Sequence, residues 1–233
     1  MMDSLKLCVL LLIIFFSKFI RAAEDNLYDF LWLDPDKSVY VLQHKVYEKN
    51  HSFYFDLNYL SNGSSEFQSS RGGSGTLGYF FKEEWAVELS YATYSNSDNA
   101  AYQNVTQING TEPFVRRANS LMGMNLIWSP FYGKINTFNK IIYFDWSFGL
   151  GIGTLSMESN INTVTNPKLL TVYSKEDYSS LVFKSDIKVY INRRFHLQVG
   201  VQDAIYRAPG PRDKAVDTTR HNIDLSIGIG ISF

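Results

Sequence analysis

From Ile223 to Phe233 every odd position is large and apolar (Ile223, Leu225, Ile227, Ile229, Ile231, Phe233), and every even one is small or polar (Asp224, Ser226, Gly228, Gly230, Ser232). Side chains on a strand alternate between its two faces, so this pattern requires a strand with one greasy face and one polar face. A tilted strand of about 9–11 residues crosses a bilayer, and apolar-out, polar-in alternation is the pattern of transmembrane barrel strands. The last strand of a secreted β-sandwich would alternate in the same way, so the rest of the chain has to discriminate.

The same period returns along the chain, over His51–Leu60, Gly75–Phe81, Trp85–Tyr94, Asn119–Trp128, Ile141–Gly153, Leu181–Ile191 and Phe195–Gln202. It is clearest where Ile142, Phe144, Trp146, Phe148, Leu150 and Ile152 oppose Tyr143, Asp145, Ser147, Gly149, Gly151 and Gly153. With the last strand these make eight, an even number as bacterial barrels require. The connections are sorted by length. Lys82-Glu83-Glu84 and Asn192-Arg193-Arg194 are short, Ser129–Lys140 is intermediate, and Ser61–Ser74, Ser95–Ala118, Thr154–Ser180 and Arg207–Arg220 are long. Short periplasmic turns and long extracellular loops give this asymmetry, whereas a soluble sandwich has no reason to sort loops by end. The expected fold is all-β: an eight-stranded antiparallel transmembrane β-barrel with periplasmic termini, in the outer membrane of a Gram-negative bacterium.

The N-terminus reads as an export signal. Lys6 precedes the apolar run Leu7–Phe16, and Ala22-Ala23 offers small residues for cleavage. Residues 1–23 are therefore expected to be a cleaved signal peptide, 24–50 a periplasmic arm and 51–233 the barrel. No later stretch is apolar enough for a membrane helix, so strands must cross as a closed barrel, since an open edge leaves backbone groups unpaired in lipid. Cys8, the only cysteine, lies inside the signal, which excludes disulfides and thiol chemistry from the mature chain. The net charge of −1 gives no field for nucleic acid. Aromatic content is 15%, and aromatics gather at both membrane interfaces. Trp85 and Trp128 are assigned to the periplasmic rim, and Tyr59, Tyr91 and Tyr206 to the outer one.

By parity Asp56, Glu88, Asp145, Asp186 and Asp224 share the lumen face with Lys184, Lys188 and His196. An eight-stranded barrel is just wide enough for side chains to fill it, and unpaired buried charge is costly. These residues are expected to form a salt-bridged polar network rather than a catalytic cluster. A lipid A deacylase or acyltransferase, the alternative reading, needs a nucleophile and a base in contact near the outer rim. His221 with Ser179 or Ser180 is the available nomination, and its spacing is not diagnostic. No ligand set has the spacing of a calcium loop. No catalytic residue, cofactor or metal is assigned.

Trp128-Ser129-Pro130-Phe131-Tyr132-Gly133-Lys134, the segment Ser38–Phe55 before and into the first strand, and the terminal Phe233 together resemble the small outer-membrane β-barrel domain proteins of myxobacteria and Bdellovibrio-like bacteria. More broadly the chain resembles eight-stranded barrels of the outer-membrane-protein X and A-domain type. The resemblance implies an envelope location, for some members a part in multiprotein envelope machinery, and no catalytic residues. The last strand resembles the signal read by the barrel-assembly machinery, with Phe233 as its terminal aromatic. The expected function is non-enzymatic: a structural or binding component of the envelope. Its expected partners are outer-membrane lipid, that machinery during biogenesis, and periplasmic or envelope proteins met by the loops and arm.

Overall fold

The computed structural model describes residues 45–110, 112–137, 140–162, 172–210 and 216–233. The expected signal peptide, 1–23, and the expected arm up to residue 44 lie outside the described residues. Tyr47–Phe233 form one compact unit, made of β1 (Ser52–Asn62), β2 (Gln68–Phe80), β3 (Trp85–Asp98), α1 (Ala100–Asn109), β4 (Arg116–Thr137), β5 (Lys140–Ser159), β6 (Ser174–Tyr190), β7 (Phe195–Pro209) and β8 (Asp217–Ser232). Each strand pairs antiparallel with the next, and β8 pairs with β1, closing an eight-stranded barrel. Among the described residues no helix is long and apolar enough to cross a membrane.

The register fixes the barrel's size. Stepping across hydrogen-bonded partners from Ser52 leads to Phe80, Ala86, Ile127, Gly149, Lys184, Gln202, Asp224 and then Asn62. One circuit thus climbs ten residues along β1, from position 52 to 62. With eight strands this stagger corresponds to a tilt of about 40° and an interior that side chains can fill. The odd face of β8 spans ten residue steps, which at ~3.3 Å each and that tilt gives a belt roughly 25 Å tall. Phe55, Leu57, Leu89, Leu126, Leu150, Phe183, Val199 and Ile227 all lie exposed on this outer face.

The strands run further than hydrophobic alternation indicates. At the long-loop end β2 begins at Gln68, β3 continues to Asp98 and β6 begins at Ser174. These extensions are polar on both faces, because above the belt neither face meets lipid. Within Ser95–Ala118 lies α1. Its N-cap Asn99 accepts from the Tyr102 amide, and it ends on Gly110, which takes the left-handed conformation (φ 64°).

The intermediate connection Ser129–Lys140 is corrected to strand. Residues to Thr137 continue β4 and pair with β5 from Lys140. A register shift between Trp128 and Phe131, at Ser129-Pro130, flips the parity from even-out to odd-out. The hairpin also outruns its neighbours, since β3 starts opposite Trp128 and β6 ends opposite Tyr143. It projects from the short-turn end with Phe131, Ile135 and Ile141 exposed.

Lysine at Ile229 or Ile231 would place charge on the lipid face at a cost of about 2–4 kcal/mol near the midplane. Both variants should insert poorly, scored as loss of the fast-migrating unheated band on a detergent gel, while Ser226→Ala on the lumen face should insert normally. Equal tolerance of both kinds of change would mean that the faces are reversed.

Candidate functional site

All eight side chains assigned to the lumen are buried in it. They form clusters rather than one continuous network. In the first, Lys184 Nζ lies 2.5 Å from Glu88 Oε1 and 3.4 Å from Asp186 Oδ2. The Tyr54 hydroxyl donates to the other Glu88 oxygen at 2.9 Å. In the second, Lys188 Nζ is 2.9 Å from Asp56 Oδ2 and His196 Nε2 is 2.7 Å from Asp56 Oδ1. Lys188 also stands 3.5 Å from the centroid of the Tyr54 ring, whose negative face favours a cation. Asp224 stands apart. It accepts from Tyr94 at 2.6 Å, Asn62 at 2.8 Å and Asn222 at 3.2 Å, all neutral donors. The expectation that every luminal charge meets an opposite charge does not extend to it.

The lysines rise from β6 and reach across the bore, because β1 to β4 fill their side with bulk. Tyr54, Phe80, Ala86 and Ile127 make an apolar cluster there. Glycines make the room. A Cβ at Gly230 would lie 2.0 Å from Asp56 Oδ1 and 2.2 Å from His196 Nε2, and one at Gly200 would lie 1.9 Å from Asp186 Oδ1. Between layers, a cavity of about 20 Å³ lined by Asn58, Ser90, Lys184 and Gln198 remains, room for roughly one water.

The short-turn mouth is stoppered by residues that sequence reasoning placed in the arm. Lys49 Nζ enters the lumen and donates to Asp145 Oδ2 at 2.6 Å and Ser129 Oγ at 2.9 Å. The Tyr190 hydroxyl donates to the same Asp145 oxygen at 2.5 Å. Tyr47 stacks on Tyr190 (centroids 4.8 Å apart) and meets Tyr143 edge-on at 5.3 Å. Strand parity carries no signal for Lys49, because the register already sets Lys188 directly opposite Asp145, although Lys188 is taken by Asp56.

Toward the long-loop end the lumen turns apolar. Leu60, Ala92, Leu121, Leu155, Met157, Val182, Ala204 and Tyr206 pack together. On β1, β3, β5, β6 and β7 these residues lie on the long-loop side of the charged lumen position of their own strand. This layer separates the ion pairs from the outer mouth. Tyr206, assigned to the outer aromatic girdle, belongs to it and is corrected to an inward position. Val199 and Val201 face out, so the even position 206 faces in. Tyr59, Tyr91 and Trp128 are exposed on the outer face, and Trp85 stacks on Trp128 with centroids 6.1 Å apart.

The nominated hydroxyls do not meet His221. Ser180 is buried inside and donates to the Gly153 carbonyl at 3.2 Å, whereas His221 is on the outer face, 2.7 Å from Asp203 Oδ2. Ser232 Oγ, His196 Nδ1 (3.4 Å) and Asp56 follow one another in the order of a nucleophile, base and orienting acid. Asp56 is already committed to Lys188 and His196 is 1% exposed, so the alignment works as packing. Among the described residues no group of three or more His, Cys, Asp or Glu side chains could hold a metal ion.

Two outcomes are expected from this interior. Asp56→Asn strands the Lys188 charge and should cost about 3–5 kcal/mol, while Asp56→Asn with Lys188→Met should recover most of it, read by urea unfolding followed as loss of heat-modifiable migration. Planar-bilayer recordings of the wild type should show no large stable conductance. A porin-sized channel would refute the filled bore.

No protein-family model matches the sequence, and no curated protein matches it either. Among solved structures the chain is similar to the N-terminal β-barrel domain of Pseudomonas aeruginosa OprF, at 14% identity over 79% of this chain and 98% of that one, TM-score 0.45. It is likewise similar to Neisserial surface protein A, at 14% identity over 78% and 96%, TM-score 0.45. A third likeness is to the outer membrane protein OprG from Pseudomonas aeruginosa, at 14% identity over 80% and 98%, TM-score 0.43. The barrel assignment rests on this chain's own register and not on these likenesses.

Proposed function

We propose that the protein is a non-enzymatic component of the outer membrane of a Gram-negative bacterium, structural or binding in role, with its termini in the periplasm. The observation that carries this reading is the outer surface: a belt of exposed apolar side chains roughly 25 Å tall encircling a barrel whose bore is filled. Such a surface is stable only in lipid, and a filled bore neither conducts nor admits substrate. The orientation follows from loop length, with the three short connections after β2, β4 and β6 on the periplasmic side and the longer ones after β3, β5 and β7 outside.

Recognition then falls to the ends. Outside, the extended strands of the long-loop end carry a polar mouth. In the periplasm, the projecting β4–β5 hairpin exposes Ile135 and Ile141 beyond the last residues that neighbouring strands pair. Exposed apolar side chains outside a lipid belt favour a protein partner. The hairpin and the arm at 24–44 are the proposed periplasmic contacts. Outer-membrane lipid surrounds the belt, and the β8 face from Ile223 to Phe233 is the proposed signal for the barrel-assembly machinery.

The test is fractionation with gel mobility. Mature protein should sediment with the outer membrane and run faster unheated than boiled. Recovery as soluble periplasmic protein would sink the reading. In the same cells, removing Glu24–Asp36 should leave the barrel heat-modifiable while reducing its cross-links to envelope proteins. An unchanged set of cross-links would remove the arm from the binding role.

A further inference from the structure

Beyond its apolar layer the lumen opens, at the long-loop end, into a cavity of about 320 Å³, within the size range of small-ligand sites. Ala118 and Met157 line it from the lumen, and Phe67 and Phe114 from the loops. Within an otherwise polar lining, the buried Ala118 and Met157 and the half-buried Phe67 and Phe114 make one apolar wall, which suits an apolar or aromatic ligand body. Two polar side chains on the lining are not spent on the protein. Tyr206 is 6% exposed and lines the cavity, and among the described residues its hydroxyl makes no hydrogen bond, which leaves it open to a ligand. Arg220 uses only Nε, which donates to Thr218 Oγ1 at 3.1 Å. Its two terminal nitrogens meet no carboxylate among the described residues.

The other cations that line the cavity are committed. Arg116 is 3.0 Å from Glu176 and donates twice to the Pro209 carbonyl. Arg117 is 3.1 Å from Glu158 and lies over the Tyr173 ring. His221 is paired with Asp203. Glu66, exposed on the lining, opposes an anion at its side of the cavity. The attraction for an anionic head is therefore concentrated on Arg220, where a guanidinium can grip a carboxylate or phosphate with two parallel hydrogen bonds.

We propose that this cavity binds a small amphipathic anion, its apolar body against Phe67, Phe114 and Met157 and its carboxylate or phosphate head on the terminal nitrogens of Arg220 and the Tyr206 hydroxyl. The inference deepens the binding role given to the outer end and rests on that reading for its biological setting. The geometry requires both halves of the ligand. Inorganic phosphate has nothing to set against the apolar wall, and an uncharged aromatic leaves Arg220 unused.

The experiment uses the full mature chain folded into phosphatidylcholine vesicles, with insertion checked by the heat shift. Calorimetric titration compares 1-naphthyl phosphate and 1-naphthoate with 1-naphthol and with inorganic phosphate. Saturable one-site binding of at least one naphthyl anion is expected, with the two controls weaker by about tenfold or more. Arg220→Gln should lose about tenfold in affinity and Tyr206→Phe a few-fold, each keeping the heat shift. Arg220→Met serves in place of the glutamine variant where that one fails to insert. A heat-shifted wild-type barrel that binds neither anion overturns this inference alone. So does binding unchanged in the Arg220 variants, or equal binding of 1-naphthol, which signifies partition into lipid. A wild type with no heat shift sinks the barrel reading and this inference together.

Discussion

The ladder between β8 and β1 is the constraint from which the other features follow. Nine residue pairs from Tyr54↔Ser232 to Asn62↔Asp224 join the two ends of the sheet, and Phe53 and Phe233 exchange both backbone hydrogen bonds just below them. Without that seam two strands would present unpaired backbone groups to lipid, which provides no substitute partners. Closing with a stagger of ten residues fixes the tilt, the height of the apolar belt and the width of the bore together. The bore is then too narrow to hold bulk water, so its side chains have to satisfy one another.

That demand explains the layering of the interior. Lysine and acid side chains can share a dry bore only if nearly every charge is met and held by further hydrogen bonds, and such pairs contribute little net stability after desolvation. Their strength here lies in geometry. Lys184 and Lys188 reach from β6 to Glu88 on β3 and Asp56 on β1, and Lys49 joins Asp145 on β5 to Ser129 on β4, so each fixes the relative position of distant parts of the wall. The apolar layer at Leu121, Leu155 and Val182 keeps the outer mouth out of that electrostatic arrangement. Loops and mouth residues can then change without altering the medium in which the ion pairs sit.

How much of this was legible in the sequence depended on whether lipid touched the residue in question. In β5 and β8, where one face meets lipid over the full belt, strict alternation gave away strand, faces and membrane in a single pattern. Above the belt the outer face meets water and the inner face carries polar side chains, the buried Gln68 and Ser70 among them, so the outer parts of β2, β3 and β6 carry no contrast and read as loop. Ser129-Pro130 hid the lower half of β4, because one inserted step reversed the parity of Phe131 and Ile135. Inside the bore parity gave each residue's direction but not its partner. It directed Asp56, Glu88 and Lys184 correctly inward, yet could not announce that Lys49, from before the first strand, answers Asp145. Tyr206 was misplaced because its chemistry suits a girdle, while its position in β7 obliges it to face in. The arginine–tyrosine pair at the mouth joins strands β7 and β8 with loop residues far away in the chain, a juxtaposition that no local pattern encodes.

The glycine notches carry a consequence for how this barrel can drift over time. Gly230 and Gly200 leave open the volume that the carboxylates of Asp56 and Asp186 fill, so each acid and its glycine form one inherited unit split between two strands. Gly230 stays held by His196 as well as by Asp56, whereas a lineage that trades Asp186 for a smaller residue releases Gly200 to acquire a side chain. Once that has happened, the acid cannot return without a clash against the new Cβ. Drift at the two positions is therefore ordered and hard to reverse, even though neither residue touches lipid or ligand. Related barrels would diverge quickly in apparent sequence while exchanging the same few complementary pairs, and that coupling, rather than identity at either position, is the trace by which their common ancestry would be read.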